Sequence, residues 1–406
     1  MARMKTRLLL LFLAVTCWVQ AQQTPYVVMV SFDGFRYDYA ERYNLPNFKR
    51  MIREGASAEA LIPSFPSKTF PNHYTLVTGL YPGNHGLVDN EFYDPAQKKL
   101  YATKNRTMVE DPSFYGGVPL WQLARQHGMK SASFYWVGSE AKILGTFPDH
   151  YRLYDAKVKN EERVNQTIDW LKLPAKDRPQ FISLYFSFVD TEAHTSGPTS
   201  LQTQQVLHTA DSLLGMLMTK IGKLKLPVNI VVVSDHGLHE MKREEKVFRY
   251  VNQLINTTDP TVVFANAGSQ VHFYTKRIDS LYVVLKSQAN GFNVYKQSEF
   301  PERWHYRNQR SGDIMIVADP GTYFLSAPRD LSDWEGKGNF GEHGYDPALT
   351  EEVNGIFYAM GPNVKRGLKL KPFENIHVYP FVAKILGLRT PEIDGDGNVL
   401  EAIYRK

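Results

Sequence analysis

Three apolar runs in this chain each close on an aspartate: YVVMVSFDG at Asp33, FISLYFSFVD at Asp190, and NIVVVSDHG at Asp235-His236. Helical patterns at residues 45–55 (LPNFKRMIREG), 118–128 and 204–224 separate runs of this kind. That alternation predicts an α/β fold, with a mostly parallel central sheet flanked by helices. In such sheets the carboxyl ends of the strands border the crevice where ligands bind, so three acids at three strand ends converge on one place. A single aspartate there would be ordinary turn chemistry. Three of them, two with a histidine close by, point to a site.

Between His236 and His343 the pattern changes to TVVFANAGSQVHFYTKR, a helical DSLYVVLKSQ, FNVYKQSEF and DIMIVADPGTYFL. These segments predict a small α+β insertion spanning residues 245–335, after which the chain returns to the main sheet through GIFYAMG. The 406 residues are 43% hydrophobic and 13% aromatic, enough for a substantial core.

The first residues read as an export signal over 1–21, with Arg3, Lys5 and Arg7 ahead of an apolar stretch and a small-residue cut site after Ala21. The expectation is an exported, periplasmic or secreted protein with no membrane span in its mature form. Cys17 is a poor lipidation site, because Ala14-Val15-Thr16 does not fit the small-residue pattern that precedes a lipid-bearing cysteine. It is also the only cysteine, so the mature chain would hold neither a disulfide nor a cysteine metal site. Without the leader the charge balance is 44 basic against 42 acidic side chains, about +2, and no basic run argues for polymeric nucleic acid as a partner. Asn105, Asn165 and Asn256 each begin an Asn-x-Thr glycosylation motif. No protein partner can be inferred.

The candidate metal ligands are Asp33, Asp190, His194, Asp235, His236 and His343. Carboxylate oxygen and imidazole nitrogen without sulfur suit zinc or a similar divalent ion, and six donors are too many for one tetrahedral ion with an open position. The count fits two metals. His194 follows Asp190 by four residues, which returns one side chain toward the other over a helical turn. Thr69, in PSFPSKTFPNHYTLVTGLYP, stands where a helix begins and reads at once as an N-cap and as a candidate nucleophile. A metal on its oxygen would lower its pKa, and a helix N-terminus welcomes a phosphate.

The run FPSKTFPNHYTLVTGLYPGNHGLVDN, with VSFDGFR before it and SDHGL and GEHGYDP after it, resembles the nucleotide pyrophosphatase/phosphodiesterase family of the alkaline phosphatase superfamily. The resemblance covers essentially the whole mature chain. It implies an alkaline phosphatase-like sandwich and two zinc ions, one held by Asp190, His194 and His343, the other by Asp33, Asp235, His236 and the nucleophile Thr69. It further implies that Asn90 and the Phe70 backbone N–H donate to a phosphate oxygen. By the same similarity Phe70 and Tyr154 sandwich a nucleobase with Tyr185 nearby, and Glu140 lines the site. The implied reaction cleaves nucleotide phosphodiester and pyrophosphate bonds through a phosphothreonine, releasing nucleoside 5′-monophosphates from a small-molecule substrate. Ala193 departs from the glycine that many relatives carry before the second histidine, which implies a modest change in the pocket. Two alternatives stay open at this point: a choline-phospholipid phosphodiesterase, whose aromatic pocket would hold a quaternary ammonium, and an inactive ligand-binding relative.

Overall fold

The computed structural model describes residues 25–334 and 337–406. The predicted leader with Cys17, and the expected insertion edge at residue 335, lie outside the described residues. Eight strands build the main sheet: β1 (Tyr26–Phe32), β2 (Ala56–Ala58), β3 (Ser131–Phe134), β4 (His150–Arg152), β5 (Phe181–Phe186), β6 (Val228–Val233), β7 (Phe357–Met360) and β8 (Leu368–Leu370). Their spatial order is β8-β2-β7-β6-β1-β5-β3-β4. Only β7 runs antiparallel to its neighbours, while β1 lies parallel to both β5 and β6.

The apolar runs are continuous because both faces of the sheet are covered. Along β1, Val27 and Met29 enter one core while Val28, Val30 and Phe32 enter the other. Three helices lie on the second face and bury alternate turns against it: α1 (Pro46–Glu54) through Phe48 and Met51, the helix Asn160–Lys172 through Val164 and Ile168, and the helix Leu201–Gly222 through Leu207 and Leu214. The first face carries α2 (Thr69–Thr78) and Val378–Leu386, packed through Leu76, Phe381 and Val382. Each fully buried residue of this kind contributes about 1.5–3 kcal/mol.

Val262–Asn266, Gln270–Thr275, Ile314–Ala318 and Phe292–Lys296 form, in that order, a four-stranded antiparallel sheet accompanied by the helix Ile278–Ser287. Its apolar cluster runs on into Met241, Phe340 and Val353. Among the described residues, no helix is long and apolar enough to cross a membrane.

Candidate active site

Asp33 follows β1, and its backbone N–H donates to Phe186 O at 2.9 Å. Gly34 comes next with φ +69°, where a Cβ would stand 2.8 Å from Asp190 Cα. Glycine is therefore what lets the two acidic segments approach. Asp190 does not end a strand as the sequence suggested. β5 stops at Phe186, and Asp190 lies in the first turn of α3 (Phe188–Ser196). Phe188 and Val189 carry the apolar run across the helix start and disguise it, while an acid in the first turn suits the helix dipole. One turn later His194 Nε2 lies 3.3 Å from Asp190 Oδ1.

Three imidazoles share one arrangement. Nδ1 lies 2.7 Å from Gly341 O in His194, 3.1 Å from Gly237 O in His236, and 2.8 Å from Ser67 O in His343. A carbonyl can only accept, so each Nδ1 carries a proton, and in the neutral ring Nε2 keeps a lone pair. Those Nε2 atoms face carboxylates: His236 is 3.6 Å from Asp33 Oδ1 and 3.0 Å from Asp235 Oδ2, and His343 is 3.9 Å from Asp190 Oδ1. The same three oxygens, Asp33 Oδ1, Asp190 Oδ1 and Asp235 Oδ2, are buried without a hydrogen-bond partner. Lone pairs aimed at lone pairs, on oxygens whose desolvation costs about 1–3 kcal/mol or more each, make a cradle that fits divalent cations.

Donor atoms of Asp33, Asp235 and His236 lie within 4.8 Å of one another, and so do those of Asp190, His236 and His343. His236 thus stands between the two groups, and His194 adjoins the second through Asp190. Both triads come from the candidate set, though the second contains His236 where the family resemblance assigned His194. Gly344, at φ +106°, permits the approach of the His343 loop, since a Cβ there would fall 2.0 Å from Ser269 Oγ.

The electrostatics follow the crowding of acids. Burial, then the Asp235 and Asp190 charges, pushes the Asp33 carboxyl well above its usual range. Burial pushes Asp235 the same way, but His236 and His73 outweigh it and hold that carboxyl well below the usual range. Against its burial, His194 is pushed up to about 9 by Asp190 and Glu342. This corner of the cluster draws in positive charge, and a proton on His194 competes there with any metal.

Thr69 is the first residue of α2 and not its cap. Extended Lys68 (φ −111°, ψ 151°) takes the N-cap position without a side-chain capping bond, so the Thr69 hydroxyl is left for other work. It lies 3.1 Å from His236 Nε2. Asn90 Oδ1 accepts the Phe70 N–H at 3.0 Å. The pair expected to serve a phosphate together is here bonded to itself, which orients the Asn90 amide and leaves its Nδ2 as the donor. The Tyr185 hydroxyl donates to Asp33 Oδ2 at 2.5 Å, which ties this residue to the metal cradle. Tyr154 is 41% exposed and its ring lies 5.1 Å from Tyr135. Phe70 lies 6.5 Å from Tyr101. Glu140 accepts the backbone N–H of Tyr154 and pairs with Arg106 at 2.9 Å, so it fixes the segment that carries Tyr154. Ala193 is fully buried in α3.

Sequence reasoning missed His73. Its Nδ1 lies 2.9 Å from Thr69 O and 3.2 Å from Asp235 Oδ2, and its Nε2 is 2.8 Å from Ser31 Oγ. With Nδ1 donating to Thr69 O and Nε2 on Ser31 Oγ it braces the helix start, and it adjoins Asp235. Its place four residues after Thr69 was the available signal.

Carboxylates and imidazoles thus gather at the carboxyl edge of a mostly parallel sheet, beside a threonine at a helix start, as a donor set that could hold divalent cations. The family model for type I phosphodiesterase / nucleotide pyrophosphatase matches residues 27–346, and the chain belongs to that family. Human ectonucleotide pyrophosphatase/phosphodiesterase family member 1 is 31% identical over 397 residues, covering 94% of this chain and 42% of that protein. The venom phosphodiesterase of Crotalus durissus collilineatus is 32% identical over 408 residues, covering 97% and 48%. The chain spans about half the length of the curated relatives it matches. Murine ectonucleotide pyrophosphatase/phosphodiesterase 5, solved as an inactive threonine-to-alanine variant in complex with AMP, superposes with a TM-score of 0.85 at 30% identity, covering 94% of this chain and 100% of that one. The fold is thus the alkaline phosphatase-like sandwich.

Proposed function

We propose that this chain is an exported two-zinc phosphodiesterase and nucleotide pyrophosphatase that releases nucleoside 5′-monophosphates through a phosphothreonine at Thr69. The observation that carries the reading is the Thr69 hydroxyl, at a helix start and 3.1 Å from His236, beside buried carboxylate oxygens without partners. Asp33, Asp235 and His236 would hold one ion with the Thr69 oxygen, and Asp190, His194 and His343 the other. Bound there, zinc supplies a Lewis acid that lowers the Thr69 pKa and offsets phosphoryl charge.

The chain's own groups do the rest. Thr69, its proton passed to water, attacks phosphorus in line as the bond to the leaving group breaks. The leaving oxygen keeps the bond's electron pair. The Asn90 amide, oriented by Phe70 N–H, donates to a phosphoryl oxygen whose charge grows in the transition state. Water then hydrolyses the phosphothreonine and restores the hydroxyl. Phe70 and Tyr154 would stack on the base. Export is supported by the leader pattern and by relatives named as ecto- and venom enzymes.

The test is hydrolysis of p-nitrophenyl thymidine 5′-phosphate by the wild type and by Thr69→Ala and Asp235→Asn. Thr69→Ala should lower kcat at least about a thousandfold with metal content largely intact, since three donors to that ion remain, and Asp235→Asn should lower both. Near-normal turnover by Thr69→Ala would contradict the covalent route.

A further inference from the structure

Asn90 belongs to a stretch, residues 86–94, that the four-stranded antiparallel sheet and the loop 306–310 leading into it hold from one side. Arg310 donates to Gly86 O at 2.9 Å and to Asp94 Oδ2 at 2.8 Å, and the Tyr306 hydroxyl donates to Val88 O at 2.8 Å. His272 and Tyr274, two residues apart on the strand Gln270–Thr275, share one face of it. The Tyr274 hydroxyl accepts the Tyr93 N–H at 3.1 Å, and His272 Nε2 lies 3.0 Å from Asp89 Oδ2. Both His272 and Asp89 are fully buried.

The His272–Asp89 contact carries a proton. His272 Nδ1 lies 3.1 Å from Ser311 O, which can only accept, so that nitrogen donates. A carboxylate oxygen facing a bare Nε2 would oppose two lone pairs in a site closed to water, so a further proton is held between them. The other Asp89 oxygen, Oδ1, accepts the Asn90 N–H at 2.7 Å. Asp89 thus passes the hold of the sheet to the next residue. Thr103 N–H donates to Asn90 O at 3.1 Å, and Phe70 N–H to Asn90 Oδ1 at 3.0 Å. Three of the four polar groups of Asn90 are thereby fixed, which sets the direction of the fourth, Nδ2.

We propose that His272 is a positioning residue that, through Asp89, holds the Asn90 amide where a phosphoryl oxygen gains charge. The inference rests on the role given to Asn90 in the phosphodiesterase reading above. A donor stabilises a transition state only when it is fixed beforehand at bonding distance from the place where charge develops. Neither His272 nor Asp89 belongs to the metal cradle, so their loss is felt in kcat and not in zinc content.

The experiment measures hydrolysis of p-nitrophenyl thymidine 5′-phosphate by His272→Leu in the wild-type and Asn90→Ala backgrounds, with zinc content followed in each. Asn90→Ala alone should lower kcat about a hundredfold, as loss of one such donor does. His272→Leu should lower kcat about tenfold with KM and zinc content nearly unchanged. In the Asn90→Ala background it should cost nothing further, because both changes remove the same interaction. His272→Gln, which keeps an N–H near the Nε2 position, should recover kcat to within about threefold of wild type. Where the unpaired Asp89 carboxylate prevents folding of His272→Leu, the double variant Asp89→Leu with His272→Leu removes the charge together with its partner and gives the same comparison. Equal falls in both backgrounds, or an unchanged kcat in His272→Leu, overturn the positioning role and leave the phosphodiesterase reading intact. Full turnover by Asn90→Ala overturns the role of Asn90 in that reading and this proposal with it.

Discussion

The ring of His236 lies on the ring of His343, centroids 3.6 Å apart and planes 17° from parallel. Two imidazolium rings would repel at that distance, and burial, followed by the repulsion a protonated His236 would exert, keeps His343 well below the usual histidine range. Each ring gives its Nδ1 proton to a carbonyl, so both Nε2 atoms present lone pairs to the carboxylates. Replacing His343 with glutamine keeps bulk and polarity but misplaces the lone pair. The expected outcome of His343→Gln is loss of one metal equivalent per chain by elemental analysis, with turnover falling in parallel.

Tyr185 separates two roles by experiment. Its hydroxyl holds Asp33 Oδ2, and removing a group that orients a metal ligand typically weakens metal affinity about 10–100-fold. Tyr185→Phe should do so in a zinc-buffered titration while leaving KM for nucleotide esters nearly unchanged at saturating zinc. A raised KM with full zinc affinity would instead make Tyr185 part of the base pocket.

The acids after β1 and β6 were legible because a buried strand must shed its first charge at the sheet edge, and the Asp190–His194 spacing was legible because helices return at four residues. The start of α3 was not, since Phe188 and Val189 are strand formers that a helix tolerates once tertiary packing demands it. The Tyr185–Asp33 bond depends on register: β5 pairs with β1 so that Tyr185 stands opposite Ser31, and no local pattern encodes that choice. The same holds for Phe70 and Asn90, twenty residues apart and joined only once the chain has turned back. Thr69 was ambiguous because the extended residue before it takes the cap position, which residue type alone does not reveal.

Stability should fall on the acid side through His85, which is bonded to Thr75 of α2. Leu87 N–H donates to its Nδ1 at 3.1 Å, so Nε2 carries the proton toward Thr75 Oγ1. A second proton would meet that N–H head-on, and burial pushes the histidine down to about 3 from an ordinary 6.5. The folded value lies below the unfolded one, so the unfolded chain takes up the proton first. This group's contribution is complete above pH 6.5 and is lost as pH falls from 6.5 toward 3, at up to about 1.4 kcal/mol per unit. Urea midpoints across pH 4–7 should show a shallower acid slope in His85→Asn, which keeps an acceptor for Leu87.

Tyr154 stands half-exposed at the end of a segment pinned by Glu140. Tyr154→Ala should raise KM for nucleotide esters about tenfold with little change in kcat, since stacking on a base is worth roughly 1–3 kcal/mol. A wild type that prefers p-nitrophenyl phosphorylcholine to the nucleotide ester would assign the pocket to a quaternary ammonium.

The most direct test of the metal cradle is zinc stoichiometry measured alongside activity before chelation, after dialysis against a chelator, and after zinc is restored. About two zinc ions per chain, activity abolished with their removal and recovered with their return, is the result the geometry of Asp33, Asp190, Asp235 and the three histidines predicts. Protein that still cleaves diesters at its full rate with no metal bound would contradict it.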